Sequence, residues 1–250
     1  MLIGVAAWQF MSAARRTMPN NPNAKLNRLL AALPEASFKR LAPDLEYVTM
    51  TPGENLYESG RGAKYLYFPT SGAVALVHVL GNGIRAGTST VGREGVVGIG
   101  LFLGGTSTDN LATVQQPGGA FRLRANRQRR EFRRGEAFQA LLLRYTQARM
   151  KELSQSVLCR QQHNLAEQLA CCLLFALDRG EPNRLRMTHA QIAESLGVRR
   201  ETVSLAAQRL QASGCIQYNR GNITILDRRR LESCACECYG AVKKEYALLQ

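Results

Sequence analysis

Twenty-six consecutive residues, 136–161 (EAFQALLLRYTQARMKELSQSVLCRQ), contain neither glycine nor proline. They are rich in helix formers. At 1.5 Å per residue such a helix runs about 39 Å, longer than the core of one small domain. Phe138, Leu142, Thr146, Met150, Leu153 and Val157 recur every three or four residues, a near-heptad stripe. The length and the stripe together predict that one face also packs on a second copy of the chain, with Leu142, Met150, Leu153 and Val157 in the seam.

The sequence differs on the two sides of this helix. Between Gly53 and Gly119 lie 15 of the 22 glycines. Short apolar or alternating runs separate them: Asn55–Tyr57, Tyr65–Phe68, Ala73–Val79, Ile84–Thr88, Val96–Ile99 and Ala112–Gln115. Many short strands with frequent turns predict a small sandwich or barrel, with Gly81-Asn82-Gly83 as a hairpin turn. Ahead of it, residues 26–45 read as helical pieces broken by Pro34 and Pro43. The apolar start MLIGVAAWQF is followed by Arg15 and Arg16, whereas a secretory signal has its charges in front. Residues 1–23 are therefore expected to be a disordered tail or the product of a misplaced start, with Met18 the more natural beginning.

After the long helix, Asn164–Asp178 reads as a second helix ended by Arg179-Gly180-Glu181-Pro182. Residues 187–231 carry the chemistry. Thr188 and Gln191 form a capping box, and Ile192, Ala193 and Leu196 give a short helix its buried face. Gly197 supplies a sharp turn. A second helix, about Arg199–Ala212, follows with Val203, Ala206 and Leu210 inward. Two short strands, Cys215–Tyr218 and Ile223–Leu226, flank the turn Asn219-Arg220-Gly221-Asn222. This is the order of a winged helix-turn-helix, whose second helix presents its polar N-terminal end to base edges in the major groove of double-stranded DNA.

Charge points the same way. Residues 1–121 carry a net +3 and residues 122–250 a net +11, out of +14 for the chain. A near-neutral half joined to a strongly basic one suggests a polyanion-binding module attached to something else. The run Arg124–Arg134 holds six arginines and reads as a solvated helix at the domain junction. No apolar run approaches the ~18 residues of a membrane span. Seven cysteines, an odd number, suggest reduced thiols in the cytoplasm. Cys171 and Cys172 read as small core residues. Cys234, Cys236 and Cys238 alternate, so on one helix at most two could share a ligand, and no metal site is expected. Neither a nucleophile–base pair nor a phosphate loop is legible, so no enzyme and no cofactor is expected.

The segments RRETVSLAAQRLQASGCI, PGENLYESG, YLYFPTSGAVAL and GREGVVGIGLFLGG together resemble the Crp/Fnr superfamily of bacterial transcription regulators. The resemblance covers roughly residues 26–240. It implies an α+β chain with an N-terminal cyclic-nucleotide-binding-like β-roll (24–135), a dimerisation helix (136–162) and a C-terminal winged helix-turn-helix (163–250). It also implies a homodimeric, sequence-specific regulator. Arg200 and Glu201 stand where the family reads bases, and Ser204 where some members have a serine that does so. Leu205 replaces the family's third base-reading residue. Thr188, Arg199, Thr202 and Arg220 are better placed for phosphates.

Two departures separate the chain from nucleotide-binding members. Ile99 stands where a ribose-holding glutamate is expected, and Asp109-Asn110 where an arginine–serine pair would hold the phosphate. Cyclic-nucleotide dependence is therefore not expected, unless Arg85 or Arg93 supplies the cation. RNA polymerase and an unidentified small-molecule effector remain open as partners. A cyclic-nucleotide-responsive regulator and a winged-helix protein-interaction module without DNA binding stay as alternatives.

Overall fold

A computed structural model describes residues 22–83, 85–105, 107–108, 110–180 and 183–250. The expectations for the N-terminal tail through residue 21, for Ile84 and the Arg85 side chain, for Asp109 and for Glu181-Pro182 lie outside the described residues. The described residues open with a 3-10 turn (Pro22–Leu26) and two short helices, α1 (Arg28–Ala31) and α2 (Glu35–Leu41). Asn27 caps α1, accepting from Leu29 N and Leu30 N, while its amide donates to the carbonyls of Pro69 and Gly95.

Seven strands follow: β1 (Leu45–Met50), β2 (Asn55–Tyr57), β3 (Tyr65–Pro69), β4 (Ala73–Val79), β5 (Arg85–Val91), β6 (Leu111–Gln116) and β7 (Gly118–Arg124). They form two antiparallel sheets, β1-β7-β3 and β2-β6-β4-β5. Met50, Val74, Val91, Val97, Val114 and Ala120 fill the space between them. On the far side of the first sheet, Leu66, Phe68, Phe121 and Leu123 pack on α1, α2 and the long helix.

Two strands were not legible in the sequence. β7 begins at Gly118-Gly119, outside every run of the sequence that read as a strand, and these glycines permit close approach. A Cβ at Gly118 would lie 2.3 Å from the Ser71 carbonyl oxygen, and one at Gly119 2.2 Å from the Tyr47 hydroxyl. β1 alternates only weakly in burial. Conversely, the run Val96–Ile99 makes only an isolated bridge, Tyr67 to Val97, before a 3-10 turn at Ile99–Leu101.

Helix α3 (Ala125–Phe132) lies over the arginine run, and several of these arginines are paired: Arg124 with Glu46, Arg127 with Asp44, Arg134 with Glu131 and Glu136. The long helix α4 spans Ala137–Gln162 and α5 spans Leu165–Arg179, capped by a reciprocal Asn164–Glu167 box. The second core joins α5 to α6 (His189–Leu196), α7 (Arg200–Ala212), α8 (Arg228–Cys234), the start of α9 (Glu237–Ala247) and a small sheet. That sheet has the order β8-β10-β9, with β8 at Arg184–Arg186, β9 at Ile216–Asn219 and β10 at Asn222–Ile225. The architecture is α+β: an N-terminal β-roll, a long helix and a C-terminal winged helix-turn-helix.

The face of α4 that meets the β-roll differs from expectation. Phe138 and Leu142 are buried inside their own chain, together with Leu141 and Tyr145. Leu142 has no exposed surface at all and cannot face a second copy. The apolar residues left exposed are Leu143, Met150, Leu153, Val157 and Leu158.

A buried charge cluster joins the two halves. Arg179, at the end of α5, donates to Glu94 of the β-roll at 2.9 Å and to Glu152 of α4 at 2.6 Å. Arg149, one turn before Glu152 on α4, donates to Glu152 at 2.6 Å and to the Ser89 hydroxyl of β5. The Tyr246 hydroxyl of α9 donates to Glu152 at 2.6 Å. All four charged side chains are buried, and two cations balance two anions. Burial alone would raise the Glu152 pKa, but Arg149 and Arg179 hold it at about 2.

Truncating Glu152 to Ala would leave two buried guanidinium groups short of a counter-charge. Chemical denaturation should show a loss of about 3–5 kcal/mol. The pH dependence has a definite sign. The unfolded carboxyl protonates near 4.5 and the folded one only near 2. Its stabilising contribution is therefore complete above pH 4.5 and drains away between 4.5 and 2. Urea midpoints measured across that window should fall more steeply for the wild type than for Glu152→Gln.

Candidate nucleic-acid interface

The first helix of the motif, α6, starts as its sequence dictates. Gln191 N donates to the Thr188 hydroxyl at 3.2 Å, and Thr188 N donates to the Gln191 side-chain oxygen at 2.8 Å. Gly197 ends it with φ 68°, in the left-handed region that a side chain rarely adopts. The chain reverses, and α7 packs back through Val203, Ala206, Ala207 and Leu210 onto the core that includes Ala193 and Leu173. Arg199 is the N-cap residue of α7 and makes no side-chain cap bond. Arg199, Arg200, Glu201 and Thr202 are all exposed at this end, and Leu205 is exposed one turn further on.

The wing is a two-residue hairpin. Arg220 has φ 44° and Gly221 φ 83°, the pair of positive values that a type I′ turn requires. Gly221 O accepts from Met187 N at 2.9 Å, so the wing tip is fixed beside the start of α6. Arg220 is exposed at that tip. The third strand, β8, was not foreseen. Its signal is only the alternation Arg184-Leu185-Arg186, with Leu185 buried and both arginines exposed.

Two of the expected contact residues are committed within the fold. The Thr188 hydroxyl also donates to the Gln191 side chain at 3.1 Å, so its only proton is used in the cap. The Ser204 hydroxyl donates to Arg200 O at 3.1 Å and meets His189 Nδ1 at 2.8 Å. His189 stacks on Tyr218 of β9 with ring centroids 3.9 Å apart. Burial first, then the Arg200 charge, pushes the His189 pKa down. A neutral imidazole donating from Nδ1 to Ser204 Oγ fits both hydroxyl contacts and leaves the buried Nε2 without a hydrogen bond. His189, Ser204 and Tyr218 thus join both helices of the motif to the wing, a role that sequence spacing did not reveal. Arg200, Glu201, Arg199, Thr202 and Arg220 remain exposed.

In the β-roll, Gly98 has φ 101° and Ile99 packs against the N-terminal core. Phe102 beside it stacks on Phe132 with centroids 5.5 Å apart. The Tyr57 hydroxyl donates to Asn110 at 3.0 Å. Arg93 lines a cavity shared with Gly72, Arg179, Arg184 and Asn222, between the β-roll and the wing sheet.

One grouping was not legible in the sequence. Cys159, His163, Cys236 and Cys238 bring four ligand atoms within 4.8 Å of one another. The sequence signal was the i, i+4 pair Cys159 and His163 at the end of α4. Its partners lie more than 70 residues away, and no local pattern connects them.

A family model for the Crp-like helix-turn-helix domain matches residues 156–234. No curated protein matches the sequence. Among solved structures, FixK2 from Bradyrhizobium japonicum is similar with TM-score 0.67 and 20% identity, covering 77% of this chain and 98% of its own. A transcriptional regulator of the CRP/FNR family from Thermus thermophilus gives TM-score 0.62 at 22% identity, covering 76% and 98%. A CRP-family transcriptional regulator from the same organism gives TM-score 0.60 at 22% identity, covering 75% and 96%. The chain therefore has the fold of these Crp/Fnr structures, and its residues 156–234 match the Crp-like helix-turn-helix domain.

Proposed function

We propose that this protein is a homodimeric, sequence-specific DNA-binding transcription regulator that works in the cytoplasm without a cyclic nucleotide. The observation that carries this reading is the exposed, polar N-terminal end of α7 beside a cationic wing tip, on a domain matching the Crp-like helix-turn-helix family. Arg200 suits guanine O6 and N7, and Glu201 accepts from cytosine N4. Arg199, Thr202 and Arg220 suit phosphates, and the net +11 of residues 122–250 favours a polyanion. Among the described residues no helix is long and apolar enough to cross a membrane.

Dimerisation is supported by the outward face of α4. Leu143, Thr146, Met150, Leu153 and Val157 follow a three–four spacing, and Met150 is 64% exposed. Such a stripe matches a two-helix seam. Its register starts at Leu143, one residue later than the sequence suggested. Leu153→Asp should give a folded monomer in sedimentation, because Leu153 faces outward and its loss leaves the β-roll core intact. An unchanged dimer mass would refute this seam.

Arg200→Ala and Arg220→Ala should weaken DNA binding differently. Loss of Arg200 should relax selectivity at one base pair and cost roughly 1–3 kcal/mol per half-site. Loss of Arg220 should weaken all sequences alike and reduce the salt slope by about one unit per contact. Selection from random duplexes, with shift assays at several salt concentrations, separates the two. Equal losses with unchanged base preference would refute the role of Arg200.

Ile99 stands where the family resemblance places a carboxylate for a ribose hydroxyl, and it packs against the N-terminal core. Millimolar cAMP or cGMP should therefore leave the melting temperature unchanged, whereas a ligand at 100 times its Kd would add about 2.7 kcal/mol of stability. A melting shift that Arg93→Ala abolishes would restore the cyclic-nucleotide reading.

A further inference from the structure

The long helix α4, α5 and the C-terminal helix α9 meet around a group of sulfur atoms. Cys159 and His163 occupy the last turn and the C-cap of α4, four residues apart and on one face. Cys236 and Cys238 reach them because the C-terminal segment is not one helix. α8 ends at Cys234, and Ala235 and Cys236 are extended, with ψ 150° and 168°, before α9 begins. Alternate cysteines must point apart only on a continuous helix, and this break lets both sulfurs turn to the same place.

Two of the distances match those within a metal centre, and all four ligand atoms lie within 4.8 Å of one another. Cys159 Sγ lies 3.5 Å from Cys236 Sγ, and Cys238 Sγ lies 3.6 Å from His163 Nδ1. Ligand atoms on a tetrahedral zinc with Zn–S of about 2.3 Å stand about 3.7 Å apart. The three cysteines are buried and all are free thiols.

The surroundings also fit a ligand set. His163 turns Nδ1 to the cluster, while its Nε2 lies 3.3 Å from the Glu237 carboxylate. This is the carboxylate–histidine pairing that orients metal-bound imidazoles. The Gln155 amide donates to Cys238 Sγ at 3.2 Å, and Cys171 Sγ lies 3.4 Å from Cys236 Sγ. Both contacts provide hydrogen bonds that steady a bound thiolate.

We propose that Cys159, His163, Cys236 and Cys238 form a closed four-ligand site for a zinc-class divalent metal ion, which ties the end of the long helix to the C-terminal helix. Three sulfurs and one imidazole select a borderline-soft ion over calcium or magnesium. Four protein ligands leave no open position, so the ion holds structure and does not catalyse. Binding releases the three thiol protons to solvent as the sulfurs bond to the metal. Because His163 is immediately followed by Asn164, the N-cap of α5, the ion sits at the joint between the long helix and the DNA-binding domain.

The test uses the reduced full-length chain with Zn2+ or Co2+ alone. Elemental analysis should give one zinc per chain. Cobalt should show thiolate charge-transfer bands and the visible spectrum of a tetrahedral ion, displaced by zinc. Cys236→Ser and His163→Ala should lower metal content or affinity, while Cys172→Ser should not. Should those variants fail to fold, thiol alkylation of the wild type still decides. Zinc should shield Cys159, Cys236 and Cys238 and leave Cys172 reacting at its metal-free rate. Zinc should also raise the melting temperature of the wild type.

Sub-stoichiometric zinc, a six-coordinate cobalt spectrum or an unchanged melting temperature would overturn the proposal. So would a Cys159–Cys236 disulfide in a chain that takes up no zinc, which would assign the cluster to thiol oxidation. The metal readouts do not involve DNA, so a chain that binds one zinc but no duplex would keep this site and reject the DNA reading.

Discussion

Everything about how the two halves meet depends on two arginines taken out of water. Arg179 and Arg149 are buried, and a buried guanidinium persists only when its charge and its donors are matched. Glu152 and Glu94 supply the charge, and Ser89 and Tyr246 complete the hydrogen bonding of the cluster. These partners come from the β-roll, α4 and α9. Gly92 is part of the same constraint. Its N–H donates to Glu94, and a Cβ there would lie 2.7 Å from the Arg179 Cβ. A displaced β-roll or helix-turn-helix domain would strand a charge, so the cluster selects one relative placement of the two halves.

That placement puts the helix-turn-helix motif against the sheet edge. The Cα of Ser195, in α6, lies 3.7 Å from where a Cβ on Gly87 of β5 would be. Arg160 of α4 donates to Ser195 O at 3.1 Å. The motif's back is held by the β-roll and the long helix, while the N-terminal end of α7 and the wing tip stay exposed. The sulfur cluster lies at the far end of α4, where that helix hands over to α5. The charge cluster joins the β-roll to α4, α5 and α9, and the proposed metal site would tie the end of α4 to the start of α9.

The long helix shows how far periodicity alone can be read. Its apolar residues cover more than one face, because the N-terminal turns must fill the β-roll core while the outward face stays apolar. Phe138 and Leu142 belong to the first task, and Leu143, Met150, Leu153 and Val157 to the outward face. A single stripe drawn through both groups looked continuous, since three–four spacing permits a change of face by one residue. Only the position of the sheet distinguishes Leu142 from Leu143.

What the sequence determined by itself is what short-range physics controls. The Thr188–Gln191 box, the left-handed Gly197, the Asn164 cap and the Arg220-Gly221 turn are each set by residues a few positions apart. They specified the two helices of the motif and the two-stranded hairpin almost to the residue, but not the third strand β8. The tertiary structure decided what depends on distant neighbours. Gly118 and Gly119 make a strand because Ser71 and Tyr47 press on them. Ser204 serves the fold because His189 reaches it from another helix. Cys159 meets Cys236 across 77 residues, and Arg179 meets Glu94 across 85. No local preference encodes such pairings, since their free energy exists only once the chain has closed the intervening loops and excluded water.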